Sequence, residues 1–108
     1  MTVKNEVELC YKYLNLYKRA SDKGLDFNLT ITSVRNLKKA KKCFYTGKPF
    51  GNKENVDALT IDRVDNSKGY VIGNVVACRA DINHAKSNLS VEQILALAEG
   101  IKRKLGEK

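Results

Sequence analysis

Residues 59–88, LTIDRVDNSKGYVIGNVVACRADINHAKSN, leave this chain few ways to fold. Residues 58–64 alternate around Leu59, Ile61 and Val64, the period-two pattern of a half-buried strand. Residues 65–69, Asp-Asn-Ser-Lys-Gly, are dense in turn formers. Residues 70–72 and 75–77 read as short extended pieces broken at Gly73-Asn74, and residues 78–87 fit a helix with Ala80, Ile82 and Ala85 partly buried. A strand–turn–strand–helix unit brings the end of its first strand against its helix. That places Asp62, on the strand, near Asn83, on the helix.

The flanks predict helices. Val3, Val7, Cys10, Leu14 and Tyr17 recur at spacings of four and three, with Leu9, Tyr13 and Leu16 broadening the same side, so residues 3–19 form an amphipathic helix that ends at residues 21–24. Tyr11, Tyr13 and Tyr17 belong to its core and rim. Leu25, Phe27 and Leu29 alternate as a short extended piece. Thr30 or Thr32 caps a second helix running to about Lys41, with Val34 and Leu37 inward. Residues 43–50, CFYTGKPF, predict a tight turn at Thr46-Gly47. Ser90-x-x-Gln93 is a capping box, and Val91, Ile94, Leu95, Ala98, Ile101 and Leu105 form the apolar face of a last helix. With 108 residues, no internal repeat and no evident linker, the chain reads as one α+β domain. Its parts are an N-terminal helix in 1–24, a central region in 25–88 and a C-terminal helix in 89–108.

Charge and cysteine content narrow the partners. Twenty Lys and Arg against twelve Asp and Glu give a net charge of +8, which favours an acidic partner, most simply nucleic acid. Residues 33–53 carry Arg35, Lys38, Lys39, Lys41, Lys42, Lys48 and Lys53 with no acid among them. The four lysines between 38 and 42 are candidate phosphate contacts, although neighbours on a helix cannot all face one way. No run of 18 apolar residues is present, and the charged N-terminus lacks the apolar stretch of a signal peptide, so a cytoplasmic protein with no membrane partner is expected. Three cysteines cannot make a four-thiolate zinc site. No CxxC pair occurs, and no ligand pair including the single His84 has knuckle spacing.

One carboxylate and one amide oxygen, Asp62 and Asn83, make the kind of sparse oxygen site that Mg²⁺ accepts, its shell completed by water and phosphate. On the residues alone the pair also reads as a surface strand carboxylate and a turn-capping amide.

The order of motifs decides between these readings. Asp62-Arg63-Val64-Asp65-Asn66-Ser67-Lys68-Gly69-Tyr70, then Gly73-Asn74-Val75, then Asn83-x-x-Lys86 resembles the HNH, or ββα-metal, endonuclease superfamily. It looks most like the phage-encoded branch reading Asp-Arg-Ile-Asp-Asn-x-x-Gly-Tyr. Residues 26–30 and 43–47 also look like that branch, and the resemblance covers about residues 25–90. It implies a ββα-metal core with additional packed N- and C-terminal helices. It implies metal-dependent cleavage or nicking of DNA, with Mg²⁺ or Mn²⁺ held by Asp62 and Asn83, in the cytoplasm of a host cell. It makes Asp62, Arg63, Asn74 and Asn83 the candidate catalytic set, with Asn74 tying the loop to the first strand. Gly69 and Tyr70 shape the hairpin. Arg63, Arg79 and Lys86 join the lysine run as candidate DNA contacts.

Two departures from the family pattern matter. Arg63 stands where histidine is usual as general base, and a guanidinium cannot take a proton near neutral pH. Hydrolysis then needs another base, with Arg63 clamping a phosphate, or the site is impaired. His84 is a poor substitute, pointing about 100° from Asn83 on a helix of 3.6 residues per turn. In the zinc-knuckle positions only Cys43 remains. Thr46, Arg79 and Ile82 cannot bind zinc, so no structural zinc is expected. The alternative is a protein on a degenerate HNH fold that binds nucleic acid or a host protein without cutting.

Overall fold

A computed structural model describes residues 3–52 and 55–106, which excludes Lys53 of the basic run. The order of elements is α1 (Val3–Lys23), α2 (Ile31–Lys38), β1 (Leu59–Arg63), β2 (Val75–Arg79), α3 (Ala80–Lys86) and α4 (Val91–Lys104). β1 and β2 pair antiparallel, with Leu59 opposite Arg79, Ile61 opposite Ala77 and Arg63 opposite Val75. With α3 following directly, they form the ββα unit that the hydrophobic periods predict.

The core lies between α1, α2 and β1. Leu9, Leu16, Ala20, Leu29, Val34, Ile61 and Tyr70 are buried together. Tyr13 and Tyr17 meet Phe27 edge to face, and the Tyr13 hydroxyl donates to the Leu29 carbonyl at 2.9 Å. This corrects the expected face of α1. Two ladders of four-and-three spacing share that helix, one through Val3, Val7, Cys10 and Leu14, the other through Leu9, Tyr13, Leu16 and Ala20. Residues 9 and 10 differ by about 100° around the axis, so only one ladder can face the core. The second does, and Val3, Val7, Cys10, Tyr11 and Leu14 are exposed.

α2 is also shorter than its pattern suggested. Thr30 caps it in a reciprocal box with Ser33, and it ends at Lys38, where the Lys39 amide donates to the Asn36 carbonyl and the Ala40 amide to the Leu37 carbonyl. Lys41 and Lys42 therefore sit beyond the helix, where Lys42 bridges Pro49 across the 43–48 turn. Gly47 closes that turn at φ +72°, a conformation that suits glycine. α4 has its capping box, yet none of its residues is buried, and Leu95, Leu97, Ile101 and Leu105 are each about half exposed or more. The expected C-terminal helix is thus present beside the ββα core, with Val91 and Ile94 half-buried and the rest of its apolar face open.

Gly69 fixes how the hairpin meets the N-terminal half. The Tyr70 amide donates to Asp26 O at 2.9 Å and the Asn28 amide to Tyr70 O at 3.1 Å, forming a parallel bridge between Phe27 and Tyr70. A Cβ at position 69 would collide with the Asp26 backbone. Gly69→Ala should therefore lower the unfolding free energy by about 1–3 kcal/mol, the range for overpacking a tight contact. Urea denaturation measures this, and an unchanged midpoint would show that the two segments separate freely.

Candidate active site

Asp62 leaves the sheet toward α3 and is almost completely buried, at 6% exposure. Its Oδ2 accepts from the Tyr45 hydroxyl at 2.8 Å and lies 3.2 Å from the Lys86 ammonium. Burial, and then the neighbouring Asp62 carboxylate, push the Tyr45 phenol above its ordinary range, so Tyr45 stays a donor. Lys86 also donates to Arg63 O at 3.0 Å and stands over the Tyr45 ring. Asp62 Oδ1 has no hydrogen-bond partner among the described residues, and it is not sealed from solvent.

Asn83 is turned to face the same place. The Thr60 hydroxyl donates to Cys78 O at 2.7 Å, so its oxygen must accept from the Asn83 side chain, at 2.9 Å. The amide nitrogen thus points at Thr60, and the amide oxygen has no hydrogen-bond partner among the described residues. Asp62 and Asn83 line one polar cleft of about 300 Å³ together with Arg19, Lys23, Arg63 and Asn66.

Asn74 braces the loop after β1. Its Oδ1 accepts from the Asp65 amide at 2.9 Å, and its Nδ2 donates to Asp65 O at 3.1 Å and Gly69 O at 2.9 Å. All three side-chain bonds go to backbone, so this buried amide is fully used in holding the loop. Arg63 is committed to the same loop. One guanidinium nitrogen donates to Asn66 O at 2.8 Å and Lys68 O at 3.0 Å, and the group stacks over Tyr70, 5.3 Å from its ring centre.

The candidate DNA contacts separate. Lys38, Lys39, Lys41 and Lys42 are exposed. Lys86 is not a surface residue. At 4% exposure its charge is spent on Asp62, which corrects its assignment to phosphate. Arg79 is paired to Asp81 at 2.8 Å, so its charge is largely answered within the chain. The Asp81 carboxylate holds this guanidinium above its ordinary range. His84 is exposed and does not line the cleft.

Sequence reasoning missed Tyr45 and Thr60. The signal for Tyr45 was its place beside Cys43 in a turn that the ββα order folds back on β2, where the Phe44 amide donates to Ala77 O at 2.9 Å. Cys43 and Cys78 are both buried there. Burial pushes the Cys43 thiol up, but bonds from the Arg79, Thr46 and Tyr45 groups outweigh it and bring it down to about 7. Burial, and then Cys43, push Cys78 up to about 12. Among the described residues no group of three or more His, Cys, Asp or Glu side chains gathers to hold a metal. A site at Asp62 and Asn83 would rest on one carboxylate and one amide.

No protein-family model matches the chain. Over 76 residues it is 34% identical to an uncharacterised 29.0 kDa protein from the dda–modA intergenic region of Enterobacteria phage T4, covering 70% of this chain and 31% of the phage protein. Over 86 residues it is 31% identical to an uncharacterised protein of Acanthamoeba polyphaga mimivirus, covering 80% of this chain and 15% of that one. The chain thus spans a third or less of these relatives. Among solved structures it is similar to the rare-cutting HNH restriction endonuclease PacI, with a TM-score of 0.64 and 22% identity, over 89% of this chain and 78% of that one. The architecture is therefore α+β with an HNH-like ββα core, to which further helices are added.

Proposed function

We propose that this protein is a metal-dependent DNA endonuclease or nickase that hydrolyses phosphodiester bonds in the cytoplasm of a host cell. The observation that carries the reading is that Asp62 and Asn83 line one polar cleft within an HNH-like fold, each with a side-chain oxygen that no described residue engages. Two oxygens, one of them charged, fit a divalent ion that keeps most of its shell for water and substrate, as Mg²⁺ or Mn²⁺ does. Bound there, such an ion would supply positive charge to a phosphate and to the departing 3′ oxygen.

The chain's own groups do the rest. Tyr45 and Lys86 hold Oδ2 so that Oδ1 keeps its direction. Thr60 fixes the amide of Asn83. Asn74 and Arg63 keep the β1–β2 loop in place. Arg19 and Lys23 put cations at the mouth of the cleft, and the exposed lysines 38, 39, 41 and 42 extend the basic surface available to DNA. No histidine lines the cleft, and Asp62 is its one carboxylate. That arrangement supports slow hydrolysis, and it is also the observation favouring the second reading, a DNA-binding protein on an HNH-like fold that no longer cuts.

Plasmid nicking in Mg²⁺ or Mn²⁺ against EDTA separates the two. Cleavage should require the metal, and Asn83→Ala should reduce it by about 10²–10³, the scale of losing one preorganised electrostatic group. Full supercoiled plasmid in every metal, with DNA binding intact, would leave the binding reading in place.

A further inference from the structure

The cleft at Asp62 does not stand alone along β1. A second depression of about 740 Å³ is lined by Glu8, Lys12 and Asn15 of α1, by Lys38 of α2, by Leu59 and Thr60 of β1 and by Ala80 of α3. The first is lined by Arg19 and Lys23 of α1, by Ile61, Asp62 and Arg63 of β1 and by Asn83 and Ser87 of α3. Along all three elements the numbers rise in the same direction from one depression to the other. Consecutive β1 residues line them, whereas a groove over a sheet face would meet only alternate residues. The two depressions share no lining residue but succeed one another along the edge of β1 that is not paired with β2, a channel in line with α1 as one wall and α3 as the other.

The α1 wall carries three cations and, at the end away from Asp62, one acid, Glu8. Lys12, Arg19 and Lys23 recur at spacings of seven and four, so they share one side of the helix, and Lys38 joins them from the end of α2. None of the four forms a salt bridge among the described residues, although Lys18–Asp22 and Arg35–Glu6 pair nearby. The crowding is felt at Lys12, whose ammonium is pushed below its ordinary range by burial and then by Arg19 and Lys38. The two depressions are lined by five cations, Lys12, Arg19, Lys23, Lys38 and Arg63, against two acids, Glu8 and Asp62, and a low-dielectric channel concentrates this excess positive field on an anion that enters it. From Lys12 to Lys23 the helix advances about 16 Å. A DNA strand carries one phosphate per about 3.4 Å of axis, so the row matches several successive phosphates of one strand.

We propose that this channel is the path of the cleaved DNA strand, with Lys12, Arg19 and Lys23 of α1 and Lys38 of α2 holding its phosphates on the way to Asp62 and Asn83. The proposal rests on the nuclease reading for the identity of the polyanion and for which end of the channel holds the scissile phosphate. It gives α1, which lies outside the HNH-like motifs, a binding role.

The test measures DNA affinity against salt in EDTA by fluorescence anisotropy, using a labelled duplex, and nicking in Mn²⁺ alongside. Lys12→Gln, Arg19→Gln and Lys23→Gln together should flatten the log–log slope by up to about 2.7 and weaken binding at moderate salt at least about tenfold. Arg19→Gln with Lys23→Gln, two exposed substitutions that spare half-buried Lys12, should flatten it by up to about 1.8. Lys102→Gln, Arg103→Gln and Lys104→Gln on α4 remove the same charge off the channel and should change the slope by less than half as much. Folded α1 variants that bind with the slope of the unaltered protein overturn the path, while its metal-dependent nicking keeps the nuclease reading. Binding that depends on the α1 row with no nicking in any metal keeps the path and removes the nuclease. Equal losses from the α1 and α4 triples reduce the row to net charge alone and overturn the path.

Discussion

Lys86→Met should lower the unfolding free energy by about 3–5 kcal/mol, because it leaves the Asp62 carboxylate buried without its counter-ion. Small domains have only about 5–15 kcal/mol in total, so much of the protein's stability is at stake. Both side chains are largely buried, at 3% and 7% exposure, so solvent screens the pair only weakly. Asp62→Asn should cost a similar amount, since it strands the ammonium instead. The double variant should cost clearly less than the sum of the two, because neither charge then remains unanswered. Urea denaturation of the four proteins closes the cycle, and additive losses would mean that the two groups do not meet in solution. Mn²⁺ should also recover part of the loss in Lys86→Met but not in the double variant, since an ion that binds only the folded state stabilises it by mass action. That readout reports on metal at Asp62 without any cleavage.

The same pair shows why an activity loss at Asp62 alone is ambiguous. A variant there removes the candidate metal ligand and destabilises the fold together. Asn83 is the cleaner probe. It is half-buried and uncharged, and its one side-chain bond goes to the Thr60 hydroxyl.

How far the sequence reached follows from which forces act locally. The ββα unit was legible because its strands are period-two segments, its turn is dense in turn formers, and all of them adjoin in the chain. The helix cap at Ser90 was legible for the same reason, needing only three following residues, whereas the start of α2 was narrowed only to Thr30 or Thr32, of which the fold uses Thr30. The core face of α1 was not, since two apolar ladders share the helix and only the position of Ile61 and Val34 decides between them. Nor was Lys86. A lysine in a helix after a basic stretch reads as surface, and nothing short of the fold shows that the ammonium ends beside Asp62. The α1 cations were passed over because their spacing is ordinary for a solvated helix face. Their meaning comes from the strand edge opposite. Arg63 stood out against the HNH pattern that the motifs resemble, but its loop partners could not be read from the chain.

Arg63→His should raise metal-dependent nicking, by some part of the 10²–10⁴ that a general base contributes. The substitution puts an imidazole, with its ordinary pKa near neutrality, one residue after Asp62 at the edge of the cleft. The guanidinium it replaces cannot accept a proton, and it is turned toward Asn66 O, Lys68 O and the Tyr70 ring. Losing those contacts should destabilise the loop, at about 1.5–3 kcal/mol for each charge-assisted bond. Asn74 makes three bonds to the same loop and should keep it formed. Arg63→Ala separates the two effects. It removes the brace without adding a base, so it should nick no faster than the unaltered protein while sharing the stability loss. If Arg63→His falls to the level of Arg63→Ala, and both bind DNA more weakly with a flatter salt dependence, the guanidinium holds a phosphate and the chain cuts by some other base. If Arg63→His gains activity while its salt dependence stays the same, the residue is a loop brace standing where a base would act. The channel along α1 would then deliver DNA to a site that lacks only its proton acceptor.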